Sequence, residues 1–244
     1  MKIDILTLFP SMFEGPFDTS MLKKAKDNGL VEINIHNLRD WAIDKHKTVD
    51  DRPFGGGKGM VIRVDIVDKA LKDLKNKEKK KLRIKKTTTN NLQPKTILLS
   101  PQGKVFNQEK AKVLSGTEHL ILISGHYEGL DERIAENLVD EEISIGDYIL
   151  TGGEIPAMVL VDTIVRLIPK VLEEEATTHE SFSPTTHLMK PAILLDYPSY
   201  TRPEKYLDWS VPKVLLGGNH KEIEIWRKKA AVAKTKKIRP ELLK

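Results

Sequence analysis

The sequence predicts an α/β fold: a parallel sheet with helices on both faces, followed by a small, mainly helical segment. Three observations support this. Between residues 96 and 167, strand, loop and helix follow one another three times, and parallel neighbours in a sheet need such crossovers. Each of the three loops carries glycine and lies at the carboxyl end of its strand, where open parallel sheets hold their ligands. Beyond residue 189 the composition changes: 13 Lys and Arg stand against 6 Asp and Glu, a local charge of +7 where the rest of the chain sums to −2.

Residues 3–9 read as a strand that Pro10 ends, and 31–38 as a second, with a helix over 19–27 closed by Gly29. A polar, glycine-rich loop then runs from Arg39 to Met60. A helix over 65–75 leads into 75–95, a lysine-rich stretch with few apolar residues, read as an exposed excursion. Strand 96–99 ends in Ser100-Pro101-Gln102-Gly103 before a helix over 108–114. Strand 119–124 ends in Gly125-His126-Tyr127-Glu128-Gly129 before a helix over 131–138. Strand 142–145 ends in the loop Gly146 to Gly153 before a helix over 156–167. That last helix is apolar apart from Asp162, Thr163 and Arg166, so it is buried in a core or against a second subunit. Residues 173–187 lack periodicity and read as a linker between a domain over 1–172 and a basic helical one over 188–244. The clearest helix of the second starts at Asn219, an N-cap with Glu222 three residues on, and runs towards Lys234.

Composition narrows the chemistry. The chain has no cysteine, which excludes disulfides, thiolate metal sites and a cysteine nucleophile. Its seven histidines show no metal-ligand spacing, so no structural metal is expected. No apolar run approaches the ~20 residues that span a bilayer. Asp4 in the first strand and the lack of a small-residue cleavage site argue against a signal peptide, so the cytoplasm and no membrane partner are expected.

The motifs differ in weight. Gly55-Gly56-Gly57-Lys58-Gly59 lacks the Ser or Thr after the lysine that a phosphate loop requires, and nothing matches G-x-G-x-x-G after a strand. Asp50, Asp51, Arg52, Phe54 and Lys58 suit a loop that clasps a nucleic-acid base, and equally a structural turn. In 144–156 the glycines let the backbone approach a bound group, Tyr148 and Leu150 offer apolar walls for a flat heterocycle, and Pro156 suits a first helical turn. An ordinary strand–helix connection uses the same residue types. Arg166, four residues after Asp162, is either half of a helical ion pair worth about 0.3–0.5 kcal/mol or a cation for developing negative charge. Glu180 by itself is one more carboxylate.

The motifs acquire specificity together. In order they are Leu6-Thr7-Leu8-Phe9-Pro10, the run from His46 through Asp50-Asp51-Arg52-Pro53-Phe54-Gly55-Gly56-Gly57-Lys58-Gly59 to Met60, and Leu99-Ser100-Pro101-Gln102-Gly103. Gly125-His126-Tyr127-Glu128-Gly129-Leu130-Asp131-Glu132-Arg133 and the run from Ser144 to Ala157 follow. Tyr200-Thr201-Arg202-Pro203-Glu204, Val214 to His220 and Arg239-Pro240-Glu241-Leu242-Leu243 complete the set. Over essentially its whole length the chain resembles the bacterial tRNA (guanine-N1)-methyltransferases of the SPOUT superfamily.

The resemblance implies a deep trefoil knot formed by the three loops, an exception to the rule that chains do not thread. It implies S-adenosylmethionine held by Leu99, Ser100, Pro101 and Gln102, by Gly125, Tyr127, Glu128 and Gly129, and by Ile145, Gly146, Asp147, Tyr148, Ile149 and Leu150, with Gly152, Gly153 and Pro156 behind. It implies a homodimer whose active site lies at the subunit interface, and as substrate the guanosine immediately 3′ of the anticodon in the tRNA anticodon stem-loop. Mg2+ dependence is associated with the family, although no dedicated site is visible in the sequence. The family's cation maps onto Arg166. Its base is an aspartate in Asp-Ser-Phe, which maps onto Glu180-Ser181-Phe182, a departure in which glutamate adds a methylene.

The chemistry agrees. Guanine N1 is a poor nucleophile until its proton leaves; a carboxylate can take the proton and a cation can hold the charge on O6. Unlike carbon methylation of pyrimidines, this needs no cysteine. Competing readings are a ribose 2′-O-methyltransferase on the same scaffold and a non-catalytic RNA-binding module. The linker carboxylate and basic terminus favour base methylation.

Overall fold

The computed structural model describes residues 1–85, 93–173, 176–177, 180–185 and 192–243, and of 78–85, 184, 185 and 192 only the backbone. Packing divides the chain into two compact units, Met1–Val171 and Leu172–Lys244.

The first unit is built on five parallel strands in the order β2 (Glu32–Asn37), β1 (Lys2–Thr7), β6 (His119–Ser124), β5 (Lys95–Val105) and β7 (Glu141–Ser144). All six residues of β6 are buried, as expected of a central strand covered on both faces. The period of two sorts the strand side chains into two cores. Ile3, Ile5, Ile97, Leu99, Leu120 and Leu122 face α1 (Ser20–Asp27), α3 (Gln108–Ser115) and α5 (Glu154–Val165). Leu6, Leu98, Ile121 and Ile123 face α2 (Val64–Lys85) and α4 (Glu132–Asn137). Each such side chain contributes about 1.5–3 kcal/mol when fully buried, so the two cores hold the sheet rigid beneath its loops.

The helix ends follow local chemistry. Gly29 takes φ +67°, and behind α1 the Leu30 N–H donates to Ala25 O at 3.0 Å while Gly29 N–H donates to Lys26 O at 2.9 Å, closing the last turn. Asn107 and Asp131 cap α3 and α4 with side-chain oxygens that accept backbone N–H groups.

Two elements differ most from expectation. The helix expected over 65–75 continues to Lys85, because Lys, Glu and Leu are good helix formers and no Gly or Pro interrupts them. The lysine-rich excursion is therefore helical at its start, and residues 86–92 lie outside the described residues. The strand expected to end at residue 99 resumes: Leu99 and Lys104 both pair with Ile143, so residues 100–103 are looped out of one long strand. Gly103 makes the return feasible, since a Cβ there would lie 2.5 Å from backbone atoms of Glu142 and Ile143.

In the second unit the helix His220–Ile238 starts at the Asn219 cap, whose Oδ1 accepts from Glu222 N–H at 3.5 Å. It runs past Lys234 because Thr235, buried, donates its hydroxyl to Ala231 O and accepts from Leu195 N–H at 2.9 Å. Among the described residues, no helix is long and apolar enough to cross a membrane.

Candidate active site

The three glycine-bearing loops converge beyond the carboxyl ends of β5, β6 and β7. Residues 100–103 are looped out of β5, Gly125–Gly129 follows β6, and Gly146–Gly153 follows β7. The second and third are joined directly: Gly153 N–H donates to Gly125 O at 2.7 Å, and His126 bridges Gly152 in antiparallel fashion. Glycine is required at the junction. A Cβ on Gly153 would lie 2.7 Å from Gly125 N and Ser124 Cα, which are backbone atoms that cannot yield. The second loop is held from its other side by β4 (Val61–Ile62), which pairs with β3 (Asp50–Asp51), through Ile62 N–H to Gly129 O at 3.0 Å.

Between the loops lies a cavity of about 360 Å³. Leu99, the last paired residue before the looped-out segment, contributes with Ser100, Pro101 and Gln102 of that segment, and the second loop contributes Gly125, Tyr127, Glu128 and Gly129. The third contributes Ile145, Gly146, Tyr148, Ile149 and Leu150, with Gly152, Gly153 and Pro156. Asp147, predicted with them, is exposed and does not line the cavity. The third loop folds on itself through Tyr148 N–H to Gly146 O at 2.9 Å, and Tyr148, Ile149 and Leu150 stay exposed as an apolar rim. Tyr127 is held at φ +60°, with its hydroxyl oxygen 3.4 Å from the Arg39 guanidinium.

Of the two residues predicted to carry the chemistry, one belongs to each unit. Arg166 is the C-cap of α5. The 12 residues of that helix separate it from Gly153, about 18 Å at the α-helical rise. Glu180 belongs to the second unit, half-buried in a turn where its carbonyl accepts Ser183 N–H at 3.1 Å. Ser181 Oγ accepts Asp196 N–H at 3.0 Å, and Phe182 adopts φ +69°. Among the described residues, no group of three or more His, Asp or Glu is placed to hold a metal ion.

Three side chains under the loops were not anticipated. Glu154 is 0% exposed and accepts a 2.7 Å hydrogen bond from the Thr7 hydroxyl, and His126 Nδ1 stands 3.9 Å from its other oxygen. A carboxylate two residues before Pro156, at the head of an apolar helix, was the available signal. Starting that helix at Pro156 placed Glu154 outside it.

The whole chain, residues 1–244, matches the family model described as tRNA (Guanine-1)-methyltransferase TrmD. A tRNA (guanine-N(1)-)-methyltransferase of Carboxydothermus hydrogenoformans is 51% identical over 245 residues, covering 100% of this chain and 88% of that protein. Those of Dictyoglomus turgidum and Bacillus pumilus are each 50% identical over 244 residues, covering 100% of this chain and 90% and 92% of theirs. Agreement of that extent, unbroken from the first strand to the last helix, leaves no segment to a different ancestry: the chain belongs to the tRNA (guanine-1)-methyltransferase family.

Proposed function

We propose that the protein methylates N1 of the guanosine immediately 3′ of the anticodon in tRNA, with S-adenosylmethionine as donor. The observation that carries this reading is the meeting of three glycine loops around one cavity, in a chain whose relatives bear that activity as their name. The residues fit the donor. The cavity has the size usual for small-molecule sites, its rim offers apolar faces to a purine, and five glycines line it. When bound, S-adenosylmethionine supplies an electrophilic methyl group. Glu180 takes the proton from guanine N1, and Arg166 holds the charge that appears on O6.

Arg166 stands a helix length from the cavity of its own unit. That separation supports a homodimer in which each active site is completed by the other subunit. In this reading the loops form a trefoil knot, residues 173–187 act as linker, and the basic domain over 188–244 binds the anticodon stem-loop in the cytoplasm. The +7 charge from Lys190 to Lys244 supports a polyanionic partner there, and binding that weakens steeply with salt is expected.

The test is to incubate unmodified tRNA with labelled donor, digest it and identify the nucleoside by mass spectrometry. 1-Methylguanosine 3′ of the anticodon is expected; a 2′-O-methylated nucleoside or no label overturns the reading. Glu180→Gln should lower turnover by about 10²–10⁴-fold while calorimetry still registers donor binding. Near-normal turnover would remove Glu180 from its role.

A further inference from the structure

A wholly buried carboxylate needs a reason to be where it is, because burial disfavours the charge unless partners replace the lost water. Glu154 is met on Oε1 by the Thr7 hydroxyl at 2.7 Å, and its place in the first turn of α5 adds the favourable end of the helix dipole. Its Oε2 has no hydrogen-bond partner among the described residues, nor has His126 Nδ1, 3.9 Å away and equally buried. The backbone of Gly152 runs past both: a Cβ there would lie 2.3 Å from Oε2 and 2.6 Å from Nδ1. The imidazole is held in place by Phe9 and Tyr127, with ring centroids at 4.5 and 5.1 Å.

The pair thus sits where three segments meet, the end of β1, the second loop and the head of α5. His126, Gly152 and Gly153 all line the cavity. Thr7 ties the carboxylate to β1 and, by accepting Phe9 N–H at 2.9 Å, holds the segment whose ring supports the imidazole. Nothing in the two apolar cores requires a charge at this point.

We propose that His126 and Glu154 are positioning residues for the methyl donor: their contact clamps the second glycine loop to the third and sets the width of the cavity between them. The inference rests on the functional reading above. Neither residue touches the reacting atoms; they act through the backbone of Gly125, Gly152 and Gly153.

The experiment is calorimetry with S-adenosylmethionine on the full chain, beside thermal unfolding without it. Glu154→Gln keeps the shape and an acceptor for Thr7 but removes the charge. His126→Phe keeps a ring between Phe9 and Tyr127 but removes Nδ1. Each should raise the donor dissociation constant about tenfold or more, the change that about 1.4 kcal/mol of lost donor binding produces. The double variant should bind no more weakly than either single one, the signature of one shared interaction. The midpoint of donor-free unfolding should stay within about 3 °C of the wild type. The KM for tRNA should not change. Affinity within about twofold of wild type in both single variants, or losses that add in the double variant, overturns the inference. So does a loss of affinity matched by a loss of fold in both. No binding by the wild type overturns the functional reading and this inference with it; binding by the wild type with unchanged affinity in the variants overturns the inference alone.

Discussion

Two buried carboxylates stand near opposite ends of the same sheet and are treated in opposite ways. Asp4, 1% exposed near the amino ends of the strands, receives His119 at 2.6 Å, His36 at 2.8 Å, Lys2 at 2.9 Å and Asn34 at 3.1 Å. Burial alone would raise its pKa, but the hydrogen bonds from His119, His36 and Lys2 outweigh it and hold the carboxyl well below the usual carboxylate range. Glu154, beyond the carboxyl ends, has one oxygen partnered by Thr7 and the other facing a histidine across 3.9 Å. The first arrangement satisfies a charge and so fastens β1, β2 and β6 together. The second leaves polar capacity unused beside a cavity. The lesson is that the amino end of this sheet satisfies its buried charge, whereas the carboxyl end leaves one incompletely paired beside the cavity.

Changes at the two ends should separate accordingly. Asp4→Ala leaves two histidines and a lysine around a lost anion and should destabilise the fold by about 3–5 kcal/mol, measured by denaturant unfolding. If donor affinity fell more than stability, the division would break. Gly153→Ala should cost about 1–3 kcal/mol through forced overpacking and also abolish donor binding by calorimetry, since the added Cβ meets backbone on both neighbouring residues. The sign of the acid dependence follows from Asp4. Its folded carboxyl titrates below the unfolded value of about 3.9, so the unfolded chain takes up the proton first. Stability is therefore complete above about pH 5 and falls as the pH drops below it. Unfolding measured between about pH 5 and 2 should show a smaller decline in Asp4→Asn. Phe54, fully exposed in the glycine loop before β4, should change stability by less than about 0.5 kcal/mol when replaced by alanine. A larger change would mean that the Phe54 ring is covered in solution.

Much of this was legible in the residues. The strands β1 and β6 lie where their Ile- and Leu-rich segments put them, and Asn107, Asp131 and Asn219 cap their helices as local side-chain chemistry requires. Gly29, Gly129 and Gly146 take positive φ at the turns their neighbours called for. What escaped were features whose cause lies far off in the chain. The second half of β5 is a strand because β7 offers it partners, although Ser100-Pro101-Gln102-Gly103 reads as a strand ending. Asp147 looked equivalent to its neighbours in the third loop, yet Gly146 and Tyr148 line the cavity and Asp147 does not. His126 and Glu154 are separated by 28 residues, and no periodicity links such a pair.

By itself, the amino-acid sequence determined the parallel α/β class, the order of its elements, the three glycine-bearing loops at the carboxyl ends of the strands, and the family. These depend on short-range rules, the spacing of apolar side chains and the torsional freedom of glycine, which act within a few residues. Only the tertiary structure decided that Glu154 lies buried against Thr7 and His126, and that Asp147 stays outside the cavity. Those outcomes depend on which distant backbones approach within hydrogen-bonding distance, and that is set by packing the whole sheet at once.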